Sequence, residues 1–529
     1  MSTPTNHSNK FQAVVLGSGF AGSLTALILA KSGMRVALVD RAKHPRFAIG
    51  ESSTPAADYL LHQLCVHYNL SSILPLCRYG SWRKSYPEVR CGCKRGFSYV
   101  WHGSGQEYQA TSQHDCELMV AASASEEVAD TQWYRPDVDQ FFFQQSVDNG
   151  VEIFEQTEFI EARSLDAPAG GWSLVLDQLS SRHQLQAEFV VDASGPSSRF
   201  LQQHASQDCT DRLLTRTSAI YTHLVGSGLT QDWLVTQGAW EADFPYDFDL
   251  AAVHHLFRNE GWLWQIGFED QLTSVGFVRK LAGNDAARAS QFSTPDQAMQ
   301  AWKSMLGSHP VLREVLGEAS SLSIAPMPGR VFGSPRLQRL TVPAGGKDWV
   351  ALPFTIGFID PLHSTGIAHS LSGVERICRG LLAPTQSERN EIIQKYADDV
   401  VEELMHIDQM IAGCYDSLSD FRLFNCWTMV YFAAATTFER LHREGQCPSF
   451  LLSGDGHFRQ IVHRCRQLLR ELSRGEFSDS GLVREPSELR GNSRIDSYIA
   501  EVRELLVPYN TVGLFDPRIN NMYWHTAAK

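Results

Sequence analysis

Trp262-Leu263-Trp264-Gln265-Ile266-Gly267 sets two indoles two residues apart, after Gly261. The alternation is that of a strand, so both rings fall on one face. Two tryptophans on one strand face are a costly choice for a plain apolar core. A second set of residues has spacing for ligand chemistry. Ala13-Val14-Val15-Leu16 runs into Gly17-Ser18-Gly19-Phe20-Ala21-Gly22, Leu24, Leu27 and Ile28 follow at helical spacing, Gly33 ends the helix, and Val36-Ala37-Leu38-Val39 closes on Asp40. Strand, Gly-x-Gly-x-x-Gly, helix, strand and acid together predict a dinucleotide site. Gly17 would make the tight turn, Gly19 would admit pyrophosphate to the backbone, and Gly22 would seat helix on strand. The phosphates would lie at the helix N-terminus, with Asp40 on a ribose.

The elements that position these residues follow from periodicity. Trp172–Leu176 and 184–191 read as a hairpin, the second arm continuing into Phe189-Val190-Val191-Asp192-Ala193-Ser194-Gly195. Ser274-Val275-Gly276 lies on the next strand after the tryptophans. The span 213–270 is mixed and rich in aromatic side chains, among them Tyr221, Trp233, Trp240, Phe244, Tyr246, Phe248, His254 and His255. These suit a wall for a flat substrate and equally an ordinary core. Ala121 to Asp130 reads as a surface loop. From Glu388 onward Ile392, Tyr396, Val400, Leu404, Ile407 and Ile411 repeat as a helix does, and 424–438 reads as a buried helix too short and polar to cross a bilayer.

Bulk composition narrows the classes. The chain has 529 residues, 43% of them hydrophobic, with 46 Lys plus Arg against 59 Asp plus Glu and a formal charge of -13. That balance argues against nucleic acid or an anionic membrane as a main partner. The eleven cysteines lack metal-ligand spacing, Cys91-Gly92-Cys93 being too tight for a zinc pair. Their odd number and the lack of a signal peptide point to a reduced, cytoplasmic setting.

Several motifs together resemble the flavin-dependent halogenases. The Trp262–Gly267 stretch is nearly W-x-W-x-I-P; Phe358, Pro361, Ser364 and Gly366 fill F-x-x-P-x-x-S-x-G; Gly50-Glu51-Ser52 with Pro55 is similar to G-E-S-x-x-P; and Asp192-Ala193-Ser194-Gly195 is similar to the second FAD motif. The resemblance covers about residues 11–380. It implies an α/β fold, an FAD-binding Rossmann-type unit of the monooxygenase-like kind with a mixed-sheet substrate domain and a helical C-terminal region. The FAD pieces would span about 10–60, 130–205 and 345–385, interleaved with substrate pieces at about 80–130 and 206–340 in one module (10–385), with 386–529 helical.

The resemblance also implies chemistry. FAD, as FADH2, would take up O2 to give a hydroperoxide that oxidises chloride or bromide to hypohalous acid. Phe20, Ala21, Asp40, Arg41, Glu51, Ser52, Arg135, Asp192, Gly195, Ile356, Gly357 and Ile367 would line the flavin, with Arg135 and Asp139 alternatively a surface ion pair. Thr365 and Gly366 would hold the halide. Trp262 and Trp264 would keep substrate from the oxidant, and a lysine would relay the halogen. Lys94, in Lys94-Arg95-Gly96-Phe97-Ser98-Tyr99-Val100-Trp101, is the first candidate, its alternation placing Lys94, Gly96 and Ser98 on one face; Lys84 is the second.

Three positions depart from the family pattern. His363 stands where tryptophan halogenases carry Glu, and an imidazole there could act as a base. Pro353-Phe354 replaces Gly-Asp, whose carboxylate binds the flavin's ribityl chain, and Gly267 replaces Pro. The implied substrate is an electron-rich aromatic molecule, free or tethered to a carrier protein, and the missing Glu argues against free tryptophan. With one glycine motif and no NADPH domain, a separate flavin reductase is expected; a homodimer is allowed. An FAD-dependent aromatic hydroxylase and a repurposed flavin-binding protein are the competing readings.

Overall fold

The computed structural model describes residues 9–103, 108–166, 170–205, 207–281, 294–317, 320–321, 329–477, 493–516 and 518–524. Its first sheet begins with the strand Lys10–Leu16, hydrogen-bonded in parallel to Val36–Val39 on one side and to Ser181–Asp192 on the other. Ala13 to Leu16 are buried, as a strand covered on both faces of a parallel sheet requires. Trp349–Ala351 and Glu152–Phe154 extend the sheet in parallel on its two sides, and Gly345–Gly346 adds an antiparallel edge beyond the first. The expected hairpin is present: Trp172–Gln178 pairs with the first part of Ser181–Asp192, and the two turn residues Leu179 and Ser180 both have positive φ, the twist that two-residue hairpins need. The long strand thus starts antiparallel in the hairpin and ends parallel beside Lys10–Leu16.

The second sheet has the order Thr217–Val225, Leu272–Lys280, Gly261–Gly267, Ala251–Phe257, Gly96–His102, Glu117–Ala121, Met522–Tyr523. Its register places Phe97 and Tyr99 beside Ala252 and His254, then Trp262 and Trp264, then Ser274 and Gly276, then Tyr221 and His223, all on one face. The other face carries a separate apolar cluster with Trp233, Phe244, Tyr246 and Phe248. Those four aromatic residues are therefore core, whereas Tyr221 and His254 belong to the face with the two indoles.

The C-terminal helices are Gln386–Ser417, Phe421–Arg443, Gly456–Phe477 and Ser493–Leu505. A capping box between Thr385 and Glu388 opens the first, and Asp420 caps the second through Arg422 N and Leu423 N. The span 424–438 is buried almost throughout; among the described residues no helix is long and apolar enough to cross a membrane. The first helix is tied inward by Glu403, which receives a bidentate pair from Arg376 at 2.8 Å, His369 at 2.9 Å and Phe450 N at 3.1 Å. In the 121–130 segment Ala124 to Glu127 are exposed, but Ala129 and Asp130 are buried where the chain enters the strand Asp130–Trp133.

Candidate functional site

The glycine triplet does three different things. Gly17 has φ +100°, and a Cβ on it would lie 2.4 Å from Ala193 O. A Cβ on Gly22 would lie 2.0 Å from Gly17 O, so this glycine lets the helix Phe20–Lys31 close on the strand. Gly19 is different: its nearest neighbours would be Arg46 Nη2 at 3.4 Å, Asp139 Oδ2 at 3.7 Å and Arg135 Nη2 at 3.8 Å. The cradle is open and flanked by two guanidinium groups and the Asp139 carboxylate, at the start of a helix whose N-cap residue, Gly19, has no side chain. Asp40 Oδ2 accepts from Ser18 N and Ser18 Oγ, both at 2.7 Å, and Oδ1 accepts from Ala42 N at 2.8 Å. Burial pushes its pKa up, but Arg46 and these hydrogen bonds outweigh burial and leave it below the ordinary carboxylate range. An anion cradle beside an ionised carboxylate fits the pyrophosphate and ribose of FAD. Arg46 carried no motif in the sequence; Arg41, beside Asp40, is exposed.

Arg135 and Asp139 form a buried pair, not a surface one. Arg135 donates to both carboxylate oxygens, at 2.8 and 3.1 Å, and its Nη1 reaches Ile49 O at 2.9 Å and Gly50 O at 3.0 Å. Asp139 is fully buried and accepts from Phe20 N at 3.3 Å. The pair thus fixes the Gly50-Glu51-Ser52 segment against the glycine cradle. Asp192 ends the long strand, accepting from Ser194 N at 3.0 Å and Ser194 Oγ at 2.6 Å; burial raises its pKa despite these bonds. Gly195, with φ +74°, donates to Thr355 Oγ1 at 3.1 Å. The Phe354 ring faces Gly195 and lies under the Arg339 guanidinium at 4.7 Å. At the position where the resemblance implies a carboxylate, this chain therefore has an aromatic ring covered by a guanidinium group. Ile356 and Ile367 are buried, and Gly357 pairs with Leu340.

Lys94 is fully buried. Its Nζ donates to Ser52 Oγ at 2.8 Å and Ser53 O at 2.5 Å, and lies 3.9 Å from the Phe97 ring centre. Lys84 is exposed on the helix Tyr79–Ser85, away from this group. The expected alternation of Lys94 with Gly96 and Ser98 fails. Cys91–Lys94 pairs with Asp130–Trp133 in a small two-stranded sheet, and the chain crosses to the larger sheet at Arg95. That crossing resets the alternation, so Lys94 shares its surroundings with Phe97. Gly92 backs directly on Gly267 O, where a Cβ would come within 2.0 Å; the lysine strand is thereby seated on the end of the tryptophan strand.

Trp262 and Trp264 are both buried, with ring centroids 6.0 Å apart. Trp264 Nε1 donates to Ser274 Oγ at 3.1 Å, and its ring fills the space a Cβ on Gly276 would take. Trp262 Nε1 donates to Tyr415 OH at 2.9 Å, and Tyr415 OH donates to Asp360 Oδ2 at 2.9 Å. Burial raises Asp360 to about 6. His254 is stacked between Tyr99 and Trp262 at 4.6 and 5.0 Å, and burial with the Lys94 charge lowers it to about 3. Tyr99, His254, Asp360 and Tyr415 were not legible as site residues. They come from four separate elements; Tyr99 and Asp360 lay within motif stretches, His254 in the aromatic span, and Tyr415 in a helix that carried no motif.

The loop before the helix Thr365–Leu381 has an unusual backbone. His363 (φ 64°, ψ 11°) and Ser364 (φ 57°, ψ 37°) are consecutive left-handed residues without being glycine, at a cost of about 1–3 kcal/mol each. His363 is buried, with Nδ1 2.9 Å from Tyr99 OH, Nε2 3.4 Å from Cys414 Sγ and its ring stacked on Tyr431 at 4.4 Å. Burial and the nearby His254 and Lys94 charges hold its pKa far below the ordinary imidazole value, so it does not supply the near-neutral base expected from its residue type. Gly366 is exposed in the first helical turn, and a Cβ there would meet nothing within 4 Å.

Comparison with known proteins agrees with this architecture. The model of the family described as FAD dependent oxidoreductase matches residues 12–346. Monodechloroaminopyrrolnitrin halogenase PrnC of Pseudomonas fluorescens is 25% identical over 80% of this chain and 71% of its own length. Tetracycline 7-halogenase of Kitasatospora aureofaciens is 26% identical over 82% of this chain and 74% of its own. The crystal structure of halogenase PltM in complex with phloroglucinol and FAD superposes with a TM-score of 0.78 at 23% identity, covering 97% of this chain and 99% of that one. The chain belongs to the FAD dependent oxidoreductase family, and these curated relatives and this structural neighbour are named as halogenases. It is an oxidoreductase with FAD as its cofactor.

Proposed function

We propose that this protein halogenates an electron-rich aromatic ring, using Lys94 to deliver the halogen. The observation that carries the reading is the placement of Lys94: a buried ammonium group held between the Glu51–Ser53 segment, which the Arg135 pair fixes to the dinucleotide cradle, and the sheet face bearing Trp262, Trp264 and His254. Reduced FAD, when bound, supplies the activation of O2 that oxidises the halide. Gly19, Asp40, Arg46 and Arg135 would hold its adenosine and phosphate side, and Asp192, Gly195 and Thr355 would face it from the long strand. Thr365 and Gly366 would hold the halide at the helix start.

Lys94 Nζ would hydrogen-bond hypohalous acid, or, as the neutral amine, take the halogen from it with release of water and pass it to the ring carbon, whose proton returns to the nitrogen. The buried indoles Trp262 and Trp264 would exclude water and separate substrate from the oxidant. Among the curated relatives, those named for monodechloroaminopyrrolnitrin and tetracycline are more similar to this chain than the one named for tryptophan, and the PltM crystal holds phloroglucinol, which favours phenol and pyrrole substrates over free tryptophan. With one glycine motif in the sequence, FADH2 would come from a separate reductase. The test is a reductase-coupled assay with chloride and bromide against phenol, pyrrole and indole panels, free and carrier-tethered. Halide-dependent mass increments are expected. Hydroxylated products that form equally without halide would assign a monooxygenase, and FAD binding without any product would assign a repurposed flavin protein.

A further inference from the structure

We infer that His363 is a positioning residue, a neutral clasp that holds the strained start of the Thr365–Leu381 helix in the shape that binds halide. The inference rests on the proposed function and deepens it. Every neighbour of the imidazole is satisfied with the ring proton assigned to Nε2. The Cys414 thiol donates to Met410 O at 3.5 Å, so its sulfur is left to accept from His363 Nε2–H at 3.4 Å. With the ring proton on Nε2, Nδ1 is an acceptor and takes the Tyr99 hydroxyl at 2.9 Å. The result is one unbroken chain: Tyr99 to His363, His363 to Cys414, Cys414 to Met410. It links the sheet strand Gly96–His102 to the helix Gln386–Ser417 through the loop.

Tyr431 completes the clasp from the helix Phe421–Arg443. Its ring stacks on the imidazole, and its hydroxyl donates to the His363 carbonyl at 3.0 Å. Both ring nitrogens, the ring face and the carbonyl of His363 are therefore engaged by three separate elements. The backbone they hold is the left-handed pair His363–Ser364, which bulky residues adopt only when their surroundings over-determine it. Two residues on, Thr365 and Gly366 present the first amides of the helix. His363 thus acts through the backbone: it sets the direction of those amides, and it has no free nitrogen with which to take a proton from a substrate.

The test uses the full chain loaded with FAD. Bromide is titrated while flavin fluorescence is followed, which needs no turnover; halide KM and kcat are then measured with the reductase. His363→Ala is expected to raise both the bromide Kd and the halide KM at least about ten-fold, while FAD affinity stays within two-fold. Tyr99→Phe should raise the halide KM by a smaller factor, and His363→Asn, whose short polar side chain tolerates the left-handed backbone, should restore part of the loss. If His363→Ala folds poorly, Tyr99→Phe and Cys414→Ala carry the same test. A wild type that binds bromide and a His363→Ala variant that binds it equally well, or that loses kcat alone, would overturn the inference and leave the proposed function standing. A wild type indifferent to halide would overturn both.

Discussion

Nζ of Lys94 donates to Oγ of Ser52 at 2.8 Å, across 42 positions of sequence. The bond connects the residue proposed to carry the halogen with the segment that the Arg135 guanidinium clamps to the dinucleotide cradle. Replacing Lys94 with Ala or Met is expected to lower halogenation by about 10²–10⁴-fold, the usual contribution of a positioned proton-handling group. Lys84→Ala, on an exposed helix surface, should change it by less than about two-fold. Product mass spectrometry under reductase-coupled turnover checks both; the reverse ranking would overturn the assignment.

Gly19 and Gly22 should fail in different ways. Gly22→Ala places a methyl group 2.0 Å from Gly17 O, which no side-chain movement relieves, and should cost several kcal/mol of stability, at or above the roughly 1–3 kcal/mol typical of overpacking. Gly19→Ala meets only the ends of Arg46, Arg135 and Asp139, none closer than 3.4 Å. The apo fold should survive that change while FAD affinity falls at least about ten-fold, because the methyl group fills the approach to the backbone amides. Thermal melts with and without FAD separate the two effects.

Gly366→Ala separates the proposed halide site from folding. The added methyl group has open space, and alanine is the better helix former by about 1 kcal/mol. The melting temperature should hold or rise slightly, while the halide KM rises because the methyl group crowds the first-turn amides. An unchanged halide KM would remove Gly366 from the site.

Glu403 makes the acid limb of stability. Burial raises its pKa, but Arg376 and then His369 outweigh burial and bring it down to about 2 from 4.5. A depressed folded-state value contributes stability that is present above about pH 4.5 and lost as pH falls through 2. The amount is on the order of 3 kcal/mol by linkage. Glu403→Gln leaves Arg376 buried without its counter-charge and should destabilise by about 3–5 kcal/mol at pH 7. Urea unfolding between pH 3 and 7 measures both, and a variant with wild-type acid dependence would contradict the assignment.

Asp360 works in the opposite sense. Burial raises its pKa from 3.8 to about 6 despite its bonds from Leu362 N, Tyr415 and Thr217. Its contribution is fully present below about pH 3.8 and is lost as pH rises through 6, by on the order of 3 kcal/mol. Between pH 4 and 7 the wild type should therefore lose stability relative to Asp360→Asn. Tryptophan fluorescence should change over the same interval, because Asp360 anchors Trp262 through Tyr415. A pH-independent difference between the two proteins would rule out Asp360 as the titrating group.

The glycine unit was legible because every requirement in it is local: the turn, the approach and the helix seat all lie within Gly17 to Gly22, and the acid follows one strand later. The two tryptophans were legible as a same-face pair because strand alternation holds within Gly261–Gly267. Alternation misled at Lys94, since the chain changes sheets at Arg95 and side-chain direction is set by the sheet a residue joins. The character of His363 was likewise out of reach of its residue type. An imidazole titrates near neutrality in water, and only packing against Tyr99, Cys414 and Tyr431 makes it a neutral linker. The sequence by itself predicted the glycine turn ahead of its helix and the same-face pair of indoles, because those depend on neighbours a few residues apart. Tertiary structure alone decided which lysine is buried against Ser52 and Phe97 and what holds the histidine, because their hydrogen-bond partners arrive from elements 41 to 264 residues away.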